Sequence, residues 1–376
     1  MSNRVVKRFF KPAAMRGARA AWLTVMLCVA MFACWGEANA QSPELSMRDL
    51  SSGQIKKGSR SIGFGGDGAT WGNYALVWKD ANTGLVDYST TAYSNGNQFS
   101  FYAVGVNTPK LWHDLVLYAI AMSQNTNEVR FNAKSPGLGP AAVPLQGTGI
   151  DDALFIKAAM PVWNGISVGG LFSYERSHFD AAEVGIPSQT VHWDTDWRPS
   201  AGFGVAWQPD NTWLFGIRAL FNNDLEHRTD ALVTAEGLAS SVEYRLGASY
   251  APWKGALIDI GATRLEKHNA ISKTESVAYN PNLGFEQMLF DNQFAFRFGL
   301  DETSPTAGIT YKFAPFRLDV AYVNDMAQAR LHNLFGSQSQ SVFLALTIDY
   351  GPGSAPSRPL MRSSLMHSDD FAPASR

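Results

Sequence analysis

From about residue 150 onward, hydrophobic and polar positions alternate with a period of two in blocks of about ten residues. Ile166, Val168, Phe172 and Tyr174 share one face, and Ser167, Gly169, Ser173 and Glu175 the other. Trp213, Phe215, Ile217, Ala219 and Phe221 alternate with Gly216, Arg218 and Asn222. Phe294, Phe296, Phe298 and Leu300 alternate with Ala295, Arg297 and Gly299. Such a period predicts β-strands. Tight turns at 161–165, 208–212, 251–255, 290–293 and 313–316 join the blocks in pairs, and longer polar stretches at 178–195, 225–240 and 266–280 separate the pairs. Short turns at one end and long loops at the other are the asymmetry of a bacterial outer-membrane barrel.

The alternation sorts charge as well as hydrophobicity. Lys157, Glu175, Arg218, Glu243, Arg245 and Asp259 fall opposite the aromatic face, as do Glu286, Arg297, Lys312, Arg317, Asp319 and Asp349. A Lys or Arg facing lipid at mid-bilayer costs about 2 to 4 kcal/mol, so these twelve residues are expected to face a lumen. Their six cations and six anions can brace one another, so no selectivity for one sign of charge follows. A soluble β-sandwich also alternates, but its outward face is polar and its aromatics meet in a core.

The expected fold is therefore an all-β, transmembrane, antiparallel barrel of about fourteen strands with a short N-terminal plug segment. The strands are expected at 85–93, 97–106, 112–122, 150–160, 164–176, 198–208, 212–222, 241–250, 255–264, 282–290, 293–301, 305–313, 316–325 and 341–350. Strands two and three are apolar on both faces, through Phe99, Phe101, Tyr102, Leu115, Leu117 and Ile120, so they need an apolar partner inside the barrel. The segment 41–84 is expected to supply it, with Gly63, Gly65 and Gly66 allowing close packing. A two-residue turn at Asp291-Asn292 would place Glu286 directly opposite Arg297.

Ahead of the barrel stands an export signal. Six basic residues in the first nineteen precede an apolar run from Ala20 to Trp35 and the triplet Ala38-Asn39-Ala40. This layout predicts cleavage after Ala40, giving a signal at 1–40, a plug at 41–84, a barrel at 85–350 and a disordered periplasmic tail at 351–376. Both cysteines, Cys28 and Cys34, leave with the signal, so no cysteine metal site remains. The same forty residues hold six of the 31 basic and one of the 33 acidic residues, leaving 25 against 32. That balance gives no basic face for nucleic acid. The longest unbroken apolar run beyond the signal, Leu115–Met122, is far short of the roughly 20 residues a membrane helix needs.

No catalytic or cofactor chemistry is expected. The most suggestive constellation, Glu175, Ser177 and His178, fails because alternation sends Ser177 and His178 to opposite faces, whereas a nucleophile and its base must be within hydrogen-bond reach. Asp151 and Asp152 point apart for the same reason, which disfavours a calcium site and leaves no metal site expected.

The run Gly58-Ser59-Arg60-Ser61-Ile62-Gly63-Phe64-Gly65-Gly66, followed by Ala75-Leu76-Val77-Trp78 and Gly84-Leu85, resembles the N-terminal signature of the FadL and PorV type of outer-membrane barrel. The stretch 296–322, with Phe296-Arg297-Phe298-Gly299-Leu300-Asp301 and Phe316-Arg317-Leu318-Asp319, is similar to the late strands of the PorV-like members. At 79–83 the chain reads Lys-Asp-Ala-Asn-Thr where the family usually has Asn-Pro-Ala, and it continues past Tyr350. The resemblance implies a fourteen-stranded barrel with an N-terminal plug in the outer membrane of a Gram-negative bacterium, contacting outer-membrane lipid. It also implies transport of small or hydrophobic compounds or, alternatively, a scaffold for periplasmic or secretion partner proteins. A surface hydrolase is the third and weakest reading.

Overall fold

The structure, a computed structural model, describes residues 72–93, 96–135, 139–195, 197–230, 234–269, 274–301, 304–324 and 339–350. The expected signal at 1–40, plug residues Gly63, Gly65 and Gly66, and the tail at 351–376 lie outside them. Fifteen strand segments form one antiparallel sheet. They are β1 (Thr83–Tyr93), β2 (Gln98–Asn107), β3 (Val116–Ser135), β4 (Gly139–Trp163), β5 (Ile166–Glu183), β6 (Ile186–Thr195), β7 (Arg198–Trp207), β8 (Trp213–Asp230), β9 (Thr234–Tyr250), β10 (Ala256–Asn269), β11 (Thr274–Leu289), β12 (Phe294–Asp301), β13 (Ser304–Phe313), β14 (Phe316–Asn324) and β15 (Ser339–Asp349). β6 and β7 each lie between β5 and β8, one above the other, and together make a single stave. The first and last strands pair from Thr83 opposite Asp349 to Tyr93 opposite Ser339. The result is a closed barrel of fourteen staves.

Closure removes the free edges that an open sheet of this size would expose. The alternation then dictates which face meets what. On β5, Ser167, Leu171, Ser173, Glu175 and Ser177 are buried while Val168, Phe172 and Tyr174 are exposed. On β12 and β13, Arg297, Thr306 and Thr310 are buried while Phe298, Ile309 and Tyr311 are exposed. An exposed band of large apolar side chains round a closed barrel with polar residues inside suits a hydrocarbon surround. Trp112, Trp163 and Trp253 stand exposed at the tight-turn end, where amphipathic rings favour a membrane–water boundary.

Three stretches expected as loops are strand instead: β5 and β6 cover most of 178–195, β8 and β9 most of 225–240, and β10 and β11 most of 266–280. Hydrophobicity disappears there because both faces meet a polar surround, yet the backbone ladder continues. Spanning a bilayer takes about 9 to 11 residues of tilted strand, so β4, with 25 residues, projects well beyond it. The tall staves are β3 to β11, and the short ones, 8 to 11 residues each, are β12 to β15, β1 and β2. β3 begins at Val116 rather than near 112, after a 3-10 turn at Trp112–Asp114.

Glu286 does stand opposite Arg297. The turn that sets this register is closed by the Gln293 amide donating to the Phe290 carbonyl at 3.1 Å across Asp291-Asn292, with Phe290, Asp291 and Asn292 all at positive φ. Asp and Asn tolerate that region better than most residues.

Candidate functional site

The interior of the barrel divides into two differently filled halves. In the tall half lies the end of the N-terminal segment. Asn73 caps a 3-10 helix, Tyr74–Asp80, by accepting from the Ala75 amide at 3.0 Å. Its Nδ2 donates to the carbonyls of Val205 and Ile217, on β7 and β8, at 3.0 and 3.2 Å. Arg218 Nη1 donates to the Gly72 carbonyl at 2.6 Å, and Lys79 Nζ to Gln208 Oε1 at 2.7 Å. Backbone approach this close needs wall positions without side chains. A Cβ on Gly169 would lie 2.5 Å from the Tyr74 carbonyl carbon, and one on Gly204 would run into Asn73 Oδ1.

Tyr74 carries the apolar part of this docking. Its ring is buried with Ala153, Phe155 and Leu171, and Ile120, Met122 and Leu220 pack against the same cluster. Full burial of such a side chain is worth about 1.5 to 3 kcal/mol. Two cations flank the ring: Lys157 Nζ lies 5.8 Å and the Arg218 guanidinium 5.4 Å from its centre. Ala75 and Leu76 pack on Ala206, Leu214, Ala251 and Leu257 nearer the tight turns. The apolar inner faces of strands two and three do contribute, through Ile120 and Met122 of β3, while Phe99 and Phe101 of β2 are buried on the inner face and Tyr102 and Leu117 are exposed outside.

In the short half, side chains replace the segment. Arg297 donates from Nε to Glu286 Oε2 at 2.6 Å and from Nη1 to Asp319 Oδ1 at 3.4 Å. Thr310 bridges Arg297 and Asp319. Arg317 donates to Asp319 Oδ2 and Thr347 Oγ1, both at 2.9 Å. Glu286 and Arg297 are 0% exposed and Asp319 1%. In the tall half Glu243 joins Arg218, at 3.3 Å, to Arg245, at 2.6 Å. Seven of the twelve charged residues singled out in the sequence thus gather into two clusters. Asp259 accepts from Ser249 at 2.5 Å and Asn282 at 3.3 Å, Glu175 accepts from Ser173 at 2.9 Å, and Lys157 also lies 5.5 Å from the Tyr118 ring. Lys312 stands opposite Arg317 and Asp349 opposite Thr83, both half-buried.

Ser177 and His178 point to opposite sides of the wall: Ser177 Oγ donates inward to buried Asp151 at 2.8 Å, whereas His178 is half-exposed outside. Sequence reasoning missed Asn73, Tyr74 and Asp87. The signal available for Asn73 was its place as a capping residue just ahead of Tyr74-Ala75-Leu76-Val77-Trp78. Buried Asp87 alternates with Val86 and Tyr88 and could have been read as inward-facing by the same rule as the others.

Among solved structures, the crystal structure of the Pseudomonas putida toluene transporter TodX matches with a TM-score of 0.50 at 9% identity, over 77% of this chain and 96% of that one. The TodX deltaS2S3 mutant, a monoaromatic hydrocarbon channel, matches with a TM-score of 0.50 at 10% identity, over 78% and 99%. This chain has their fold. A Pseudomonas aeruginosa FadL homologue follows at a TM-score of 0.48 and 12% identity, over 78% and 96%. No protein-family model and no curated protein sequence matches the chain.

Proposed function

We propose that this protein is an outer-membrane channel that passes small hydrophobic compounds, with residues 41–84 as its plug. On this reading residues 1–40 direct export and are removed after Ala40, and the twelve charged residues line the lumen and brace it. The observation that carries the reading is the apolar cluster around Tyr74 inside a closed barrel. The cluster sets an apolar surface inside the barrel beside the docked segment, and a ligand without hydrogen-bonding groups is held by apolar walls. The likeness in fold to a toluene transporter and a monoaromatic hydrocarbon channel supports the same substrate class.

The test is uptake of radiolabelled toluene by Gram-negative cells that lack other hydrocarbon channels. Cells producing the protein should take it up faster than vector controls, and Phe155→Asp, which places a charge among Ala153, Leu171 and Tyr74, should abolish most of the gain. Uptake no faster than the control, with the barrel folded in the membrane, would count against transport and favour the scaffold.

A further inference from the structure

Outside the barrel, on the tall side, five polar residues form a chain that the channel reading does not use. β5 turns Arg176, His178 and Asp180 outward, beyond the exposed aromatics Phe172 and Tyr174, and Tyr174 stacks on Trp197 with ring centres 5.2 Å apart. β6 brings His192 opposite Asp180 and Asp194 opposite His178. Asp180 holds both imidazoles: His178 Nε2 lies 2.8 Å from Oδ2, and His192 Nδ1 contacts Oδ1. His178 Nδ1 then faces Asp194 Oδ1 at 3.8 Å, and Arg176 Nη2 lies 3.6 Å from Asp194 Oδ2. Asp194 Oδ1 is shielded from solvent and accepts no hydrogen bond from the described residues.

This arrangement distinguishes the two charge states of His178. Neutral imidazole has one N–H, and spending it on Asp180 turns the bare Nδ1 lone pair toward a carboxylate oxygen that lacks a donor. Protonated imidazole donates from both nitrogens and joins Asp180 to Asp194 across the strand pair. Two other strands flank the pair. On β4, Ile150 and Thr148 stand opposite His178 and Asp180, and Asp152 opposite Arg176. On β8, His227 is in register with Asp194 and Thr229 with His192.

We propose that His178 is a proton-operated clamp that fastens β6 to β5 at the base of their hairpin, the end away from its turn, closed in mildly acidic surroundings and loosened in mildly alkaline ones. The place suits such a device. The register between β5 and the stave facing it slips here: Glu175 pairs with Arg198 and His178 with Asp194, so three residues oppose two. At the slip Ser177 N donates to the Thr195 hydroxyl, at 2.8 Å, and β6 pairs with β8 only from Val191 to Thr195. Histidine is the side chain that ordinarily changes charge between pH 5 and 8. Partial burial pushes the Asp180 carboxyl up, but hydrogen bonds and charge from His192 and His178 outweigh it, so the carboxyl stays below the usual aspartate range. The contribution of Asp180 is therefore fully present above that range and is lost only as pH falls through its lowered value, so Asp180 stays charged in mildly acidic surroundings.

The test is amide hydrogen exchange of the full-length protein in lipid nanodiscs at pH 5.5 and pH 8.0, corrected for intrinsic exchange. Amides of 178–182 and 191–195 should be about threefold to tenfold better protected at pH 5.5, the effect of one ordinary hydrogen bond. Asp194→Asn should shrink that ratio, and His178→Gln should abolish it, while amides of β12 to β15 stay unchanged in both. Equal protection at the two pH values in the parent protein, or a ratio that survives His178→Gln, would overturn the clamp.

Discussion

The tall half of the barrel, β3 to β11, and the short half, β12 to β15 with β1 and β2, solve the same packing problem in different ways. A ring of fourteen staves is wider than its own side chains can fill without help, since eight strands already leave an interior just wide enough to be filled. In the short half a relay of Arg297, Thr310, Asp319, Arg317 and Thr347, joined to Glu286 on the neighbouring β11, spans the inner wall. In the tall half, glycines at 169, 202 and 204 leave the wall bare, and Asn73 and Tyr74 lie against it. Polar side chains can cover an interior only where each finds a partner, and a docked segment can do so only where the wall has no Cβ to strike. The halves should therefore fail differently when perturbed.

The largest effect is expected from Arg297→Met, which strands Glu286 as a buried charge and leaves Asp319 with Arg317 and Thr310, and should cost about 3 to 5 kcal/mol. Urea unfolding from lipid vesicles measures it. Replacing Glu286, Arg297 and Asp319 together by apolar residues of similar volume should restore much of the loss, because desolvation of the whole group then disappears. A triple variant as unstable as the single one would break the description of the short half as a closed relay.

The outer face should ignore the difference between the halves. Phe203 on β7 is 52% exposed and Phe298 on β12 56%. Arginine at either, near the bilayer midplane, should cost about 2 to 4 kcal/mol. Unequal costs in the same unfolding assay would mean that the two halves meet different surroundings.

Gly204→Val tests the tall half. Its side chain would occupy the place of Asn73 Oδ1, and overpacking of this kind costs about 1 to 3 kcal/mol. The expected outcome is a barrel that still folds but releases residues 72–76, seen as faster protease cleavage there, with no change in the short half. The smallest effect belongs to Arg317→Lys. An ammonium loses the forked contact to Asp319 and Thr347, a loss of about 0.5 to 1.5 kcal/mol in the same unfolding assay.

The contrast between the halves also marks what the sequence could tell. The short half was legible because its strands are short enough that each spans lipid along most of its length, so alternation covers them: β12 to β15 lie where the pattern places them, and Glu286 faces Arg297. The upper parts of the tall staves were not, because residues 178–195, 225–240 and 266–280 leave the apolar surround, and a strand without an apolar face looks like a loop. Which charges would meet was hidden for a related reason. Alternation assigns a side chain to a face, but whether Arg297 reaches Asp319 depends on the stagger of three neighbouring strands. The docking of Asn73 and Tyr74 was hidden further, since contacts such as Asn73 with Val205 and Ile217 join residues more than 130 positions apart.

The most direct test of the central claim, that the N-terminal segment fills the glycine-lined half of the lumen, is single-channel conductance in planar bilayers with and without residues 41–80. The account predicts a clear rise in conductance on deletion, with heat-modifiable migration on gels showing that the barrel still folds. Unchanged conductance from a folded barrel would contradict it.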